Sequence, residues 1–149
     1  MDEKTKLKGE WFIKLYGPDG NTKEEKSGFN VVTTVGKEFI ASFLNSAVVA
    51  ASTFTAKYIA IGTDSTAEAI GNTALGAESA RTTGTASYIS GQIFQVKATF
   101  TTGVGTGAIV EYGLLSSDSA GTLVARDTEL AINKGANDTL SVVCQLTVG

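Results

Sequence analysis

The 149-residue sequence contains no histidine, which removes the commonest acid–base residue near neutral pH and the commonest metal ligand. A single cysteine, Cys144, permits no intrachain disulfide and no cysteine-cluster metal site. Proline occurs once, as Pro18. Charge is also scarce, at 18% of residues, and the formal net charge of −3 argues against a dedicated nucleic-acid binder, which carries a basic excess. No apolar run approaches the roughly 18 residues that a membrane-spanning helix needs. The opening residues MDEKTKLKGE lack the apolar centre of a signal peptide, so the expectation is a soluble protein made in the cytoplasm.

What is present points to one β-rich domain. Apolar residues make up 42% of the chain, and a chain this long buries roughly 70% of its unfolded surface. Seventeen glycines without a collagen period suit many turns between closely spaced strands. The charge is unevenly placed. Of the 12 basic and 15 acidic residues, residues 1–26 hold six of each sign, which leaves the body bare for a free monomer. Either the surface is simply rich in small residues, or partners cover much of it.

Residues 1–9 read as an extended N-terminal arm, with Lys4, Lys6 and Lys8 on one side, solvated or facing an acidic neighbour. Glu10–Tyr16 alternates Trp11, Ile13 and Leu15 against Glu10, Phe12, Lys14 and Tyr16, the period of a strand. Residues 17–21 (GPDGN) form a strong turn, leading to a second strand near Thr22–Ser27. A helix is predicted near 35–46, because Val35, Phe39, Ile40, Phe43, Leu44 and Ala47 mark one face. Thr34 is its expected N-cap, with Glu38 in the first turn. Strands follow at Lys57–Gly62, Gly91–Phe100, Ala108–Leu115, Thr122–Asp127 and Leu140–Val148, with a turn at Asn133–Asn137. Between the first two lies a long connection, Thr63–Arg81, ending in Glu78 and Arg81. Loops of such length are usually functional or ordered by a partner. In the last strand Cys144 falls on the buried face, where it acts as a small hydrophobe. The predicted fold is mainly β: an antiparallel β-sandwich or jelly-roll-like domain over 10–149, with one helix and the N-terminal arm.

Little in the chain suggests chemistry. No S-x-x-K motif is present, and residues 103–107 (GVGTG) lack the lysine and following helix of a phosphate loop. Asp64, Glu68, Glu78, Glu111, Asp118, Asp127, Glu129 and Asp138 are the acids available for glycosidase-type work, but spacing alone does not say which of them meet, and Asp64 and Asp118, in Ser/Thr-rich loops, lack the pattern of an EF-hand calcium loop. An enzyme, a cofactor and a metal are therefore not expected. A carbohydrate-binding module would need a row of exposed aromatics, hard to assemble from one tryptophan and four tyrosines.

Four ordered segments carry a resemblance. They are Asn30-Val31-Val32-Thr33 leading into the helix; Ile59–Thr63 followed by Asn72–Glu78; Glu111–Leu115; and Leu123–Arg126 followed by Ile132–Lys134 and Asp138–Val142. Over roughly residues 10–148 this set resembles small virion structural proteins of tailed bacteriophages; the charged arm is the main departure. The resemblance implies a non-enzymatic role as a capsid decoration (cement) protein on the outer surface of the virion. Its partners would be the major capsid protein and copies of itself, as a homotrimer. The alternative is a tail, baseplate or fibre-associated module bound to tail proteins. Lys4, Lys6, Lys8, Trp11, Tyr16, Tyr58, Glu78, Arg81 and Tyr88 are the candidate interface residues, the aromatics because such side chains dominate hot spots. For each aromatic the competing possibility is burial in the domain's own core.

Overall fold

The computed structural model describes residues 7–42 and 56–148. Along them run β1 (Leu7–Tyr16), β2 (Thr22–Val32), α1 (Thr34–Ser42), β3 (Tyr58–Gly62), β4 (Glu78–Thr83) and β5 (Thr85–Ser90). Then come β6 (Ile93–Phe100), β7 (Gly107–Ile109), β8 (Glu111–Leu115), β9 (Leu123–Asp127), β10 (Ile132–Lys134) and β11 (Thr139–Val148). Nine strands form one antiparallel sheet in the order β4-β3-β8-β9-β2-β1-β11-β6-β5, and β7 pairs with β10 separately. The large sheet curls into a half-barrel, which bears out the mainly β, sandwich-like expectation.

Two segments make the curl. β2 pairs with β1 over Thr22–Asn30, then passes Val31 and Val32 to Arg126 and Ala125 of β9, so it belongs to both halves of the sheet. The two sheet edges, β4 and β5, are consecutive in the chain and separated only by Gly84. A Cβ at Gly84 would lie 2.6 Å from Val96 Cγ1 and 2.9 Å from the Lys97 carbonyl, so only glycine fits this corner. Its N–H donates to the Lys57 carbonyl at 2.6 Å.

Alternation fills the inside of the curl. Trp11, Ile13 and Leu15 of β1, Val96, Ala98 and Phe100 of β6, and Leu140, Val142 and Cys144 of β11 are all buried in one cluster with Ile59, Ile61, Tyr112 and Leu114. A large apolar side chain fully buried there contributes about 1.5–3 kcal/mol. The β1–β2 turn forms as its residues demand. Gly20 has φ +80°, its N–H donates to the Gly17 carbonyl at 3.0 Å, and the Asp19 carboxylate accepts from the Asn21 N–H at 3.0 Å.

Several expectations need correction. The N-terminal arm is shorter than predicted: Leu7, Lys8 and Gly9 are already strand, paired with Val148, Thr147 and Leu146, while 1–6 lie outside the described residues. A ladder needs backbone partners and not apolar side chains, so a lysine-bearing stretch could still join β11. The helix is described as Thr34–Ser42, and predicted positions 43–46 lie outside the described residues. Thr33, not Thr34, caps it, its Oγ1 accepting the Gly36 N–H at 2.9 Å and donating to the Leu123 carbonyl at 2.5 Å. With the cap one residue earlier, no acidic residue sits in the first turn, and Glu38 gains nothing from the dipole. Phe39 is buried, as expected of a core contact.

The predicted strand Ala108–Leu115 is two, β7 and β8. Between them the Val110 N–H turns to the Gly62 carbonyl at 3.0 Å, so Ile109, rather than Val110, enters the core. β5 and β10 were not predicted, and the long connection ends at Ala77, because Glu78 and Arg81 belong to β4.

Candidate docking face

The half-barrel has two outer faces, and they are finished differently. Over β8 and β9 every residue is buried, on both faces of the sheet. α1 packs on β9 through Gly36, where a Cβ would stand 2.6 Å from Val124 Cα and against its carbonyl. Loop 63–77 lies over β8, with Leu75 seated where Gly113 has no side chain. Ala60, Leu115 and Leu123 form a second small core there, flanked by Tyr58 and Leu75.

An ion pair holds this roof. Glu111 is fully buried and Arg126 is 2% exposed. Glu111 Oε1 accepts the Ala77 N–H at 2.7 Å, and its Oε2 accepts the Gly76 N–H at 2.9 Å. Arg126 donates to that same Oε2 from Nε at 3.1 Å and from Nη2 at 2.9 Å. Its Nη1 donates to the Thr66 carbonyl at 3.2 Å and Asn72 Oδ1 at 3.1 Å, and Nη2 reaches Asp64 Oδ2 at 3.4 Å. Hydrogen bonds from the Thr66 N–H and hydroxyl hold the Asp64 carboxyl below its ordinary range, and Arg126 adds to this. The loop expected to order on a partner is thus ordered by the chain's own buried arginine. Glu111 and Asp64 do meet, but as acceptors whose oxygens are occupied, an arrangement that stabilises loop backbone rather than activating water.

The candidate interface residues scatter. Lys4 and Lys6 lie outside the described residues, and Lys8 is exposed on β1. Trp11 is wholly buried, its ring 6.0 Å from that of Tyr112, so it cannot anchor a partner; its place in the alternation of β1 sends it inward. Tyr58 is half-buried against the second core. Tyr16 is half-buried, with Lys14 Nζ 5.5 Å from the centre of its ring. Glu78 and Arg81 pair with each other at 2.7 and 2.8 Å, and Arg81 Nη1 donates to the carbonyls of Ser117 and Ala120 at 2.8 Å each. That clamps the β8–β9 connection and leaves Arg81 committed within the domain. Tyr88 alone among these aromatics is well exposed, at 72%, with its hydroxyl donating to the Gly91 carbonyl.

The other outer face, on β2, β1, β11, β6 and β5, carries no helix among the described residues. The register lays Phe29, Glu10, Gln145, Gln95 and Ser87 in one row across it, and Ser27, Phe12, Val143, Lys97 and Thr85 in the next. Gln145 donates to Gln95 across the strands at 2.8 Å. Phe29 is 68% exposed and Phe12 36%. Neither was singled out from sequence, although a phenylalanine on the polar side of an alternating strand was a visible signal at position 12. At the rim, Leu7, Lys8, Gly9, Phe29 and Asn30 line a shallow hollow of about 340 Å³. Among the described residues no three His, Cys, Asp or Glu side chains converge as metal ligands.

No family model, no curated protein and no solved structure matches this chain.

Proposed function

We propose that this protein is a non-enzymatic structural component of a tailed-bacteriophage virion, a capsid decoration protein that cements the head lattice. Its partners in this role are the major capsid protein and copies of itself, as a homotrimer on the outer capsid surface. The observation that carries the proposal is the outer face of β2, β1, β11, β6 and β5, which no other described element covers and which exposes Phe12 and Phe29 among polar neighbours. Flat mixed surfaces suit protein contact better than small-molecule capture, which uses concave, largely apolar sites. Repetition over a lattice makes modest affinity per copy sufficient.

The segments that carry the resemblance to virion proteins lie in the framework of the domain. Asn30–Thr33, Ile59–Thr63, Glu111–Leu115 and Leu123–Arg126 build the junction into α1 and the strands β3, β8 and β9 under the roof. They supply framework, leaving the docking face free to suit one particular partner.

Densitometry of purified virions tests the proposal by counting this protein against the major capsid protein. A ratio at or near stoichiometric, or a fixed lattice fraction, is expected. A small fixed number of copies per particle would move the protein to the tail, baseplate or fibres. Absence from virions would overturn both structural roles.

A further inference from the structure

The inner end of β9 holds a carboxylate that the docking role does not use. Asp127 is fully buried, facing into the half-barrel beside Tyr112, its partner on β8. Oδ1 accepts the Glu129 N–H at 2.8 Å, whereas Oδ2 has no hydrogen-bond partner among the described residues. Among the described residues no cation pairs with Asp127. The Tyr112 hydroxyl is committed to the Leu130 carbonyl at 2.8 Å, and Cys144 of β11 is a buried thiol. Glu68, from the roof loop, binds the Thr128 hydroxyl, and Glu129 follows in the same turn; both add negative charge near Asp127. On β2, Lys26 is engaged with the Ala131 carbonyl and with Glu24 at 3.3 Å. Arg126, one residue away, points to the opposite face and is spent on Glu111.

We infer that Asp127 is a proton-binding site built into the core, so that the domain is more stable in mildly acidic solution than at neutral pH. Burial favours the neutral acid, and the two glutamates reinforce it. The Asp127 carboxyl is accordingly pushed up to about 6 from 3.8. With the folded-state value raised, the stabilisation is complete below the unfolded value and is lost as pH rises through about 6. Most domains lose stability on acidification, because paired carboxylates must be protonated. Here the carboxyls of Asp19, Asp64 and Asp138 lie below their ordinary values, so their losses fall at lower pH than the Asp127 gain.

Urea unfolding at about pH 8 and about pH 5 tests this, with the folded-to-unfolded ratio of the natural chain expected to rise about tenfold at the lower pH. Asp127→Asn should remove that rise and be the more stable of the two chains at about pH 8. An equal rise in the variant, or none in the natural chain, would overturn the inference. Should the variant fail to fold, carboxyl-carbon NMR of the natural chain decides. A titration midpoint for Asp127 near 6 upholds the inference, and one near 3.8 sinks it.

Discussion

Every residue of β8 and β9 is buried: α1 and loop 63–77 cover their outer face, and the Glu111 carboxylate trapped beneath is met by Arg126 and by the N–H groups of Gly76 and Ala77. Outside β2, β1 and β11 the same sheet mixes polar and apolar residues and leaves Phe12 and Phe29 open. Both halves share one inner core, so the contrast lies wholly in how the outer faces are finished. A covered face must satisfy every polar group it buries, since an unpaired buried charge is far costlier than an exposed one. An open face needs no such matching and is free to vary with its partner. The roofed half therefore fits a framework role and the bare half a recognition role.

The contrast can be broken from the roofed side first. Arg126→Met leaves Glu111 buried without its counter-charge, and a loss of about 3–5 kcal/mol in urea unfolding is expected. Amide exchange in loop 63–77 should quicken at the same time, because the loop loses its anchor. An Arg126→Met chain with unchanged stability would show that the ion pair does not hold the roof.

Gly36→Ala comes next. The added methyl would meet Val124 backbone, which cannot swing aside like a side-chain tip, so α1 must lift; about 1–3 kcal/mol is expected. Gly113→Ala, meeting side-chain ends of Leu75, Leu123 and Leu115 and no backbone, should cost less. If the two cost the same, backbone contact is not what seats the helix.

The smallest stability effect belongs to the bare face. Phe12→Thr and Phe29→Thr keep strand propensity and should each cost at most about 1 kcal/mol. Combined, under the decoration role proposed above, they are expected to lower the copy number on virions sharply. A large loss of stability would mean that these rings pack within the domain, and unchanged occupancy would move the docking surface elsewhere.

Much of the inner face was legible from alternation alone. Trp11, Ile13 and Leu15, then Val96, Ala98 and Phe100, then Leu140, Val142 and Cys144 recur at every second position and do point inward. β8 and β9 showed no such period, because EYGLL and LVARD are buried on both sides and a doubly covered strand has no polar face to mark it. Trp11 was a candidate anchor by residue type and is core by position. Tyr88 kept its exposure, yet the open sheet beside it was legible only through the register of five strands. Glu111 stood only as one of eight acids of unknown pairing, and nothing in its neighbours announces Arg126.

The sequence by itself determined the local features: the GPDGN turn, the inward alternation of β1, β6 and β11, a helix starting within a residue or two of Thr34, and the burial of Cys144. Each depends on φ preferences or on a side-chain period that a few consecutive residues express. The tertiary structure alone decided which outer face is roofed, that loop 63–77 is pinned by Arg126, and that Asp127 is enclosed with no cation paired to it among the described residues. These depend on groups distant in the chain meeting at one register, and on whether a buried charge finds its partner there or faces only other carboxylates.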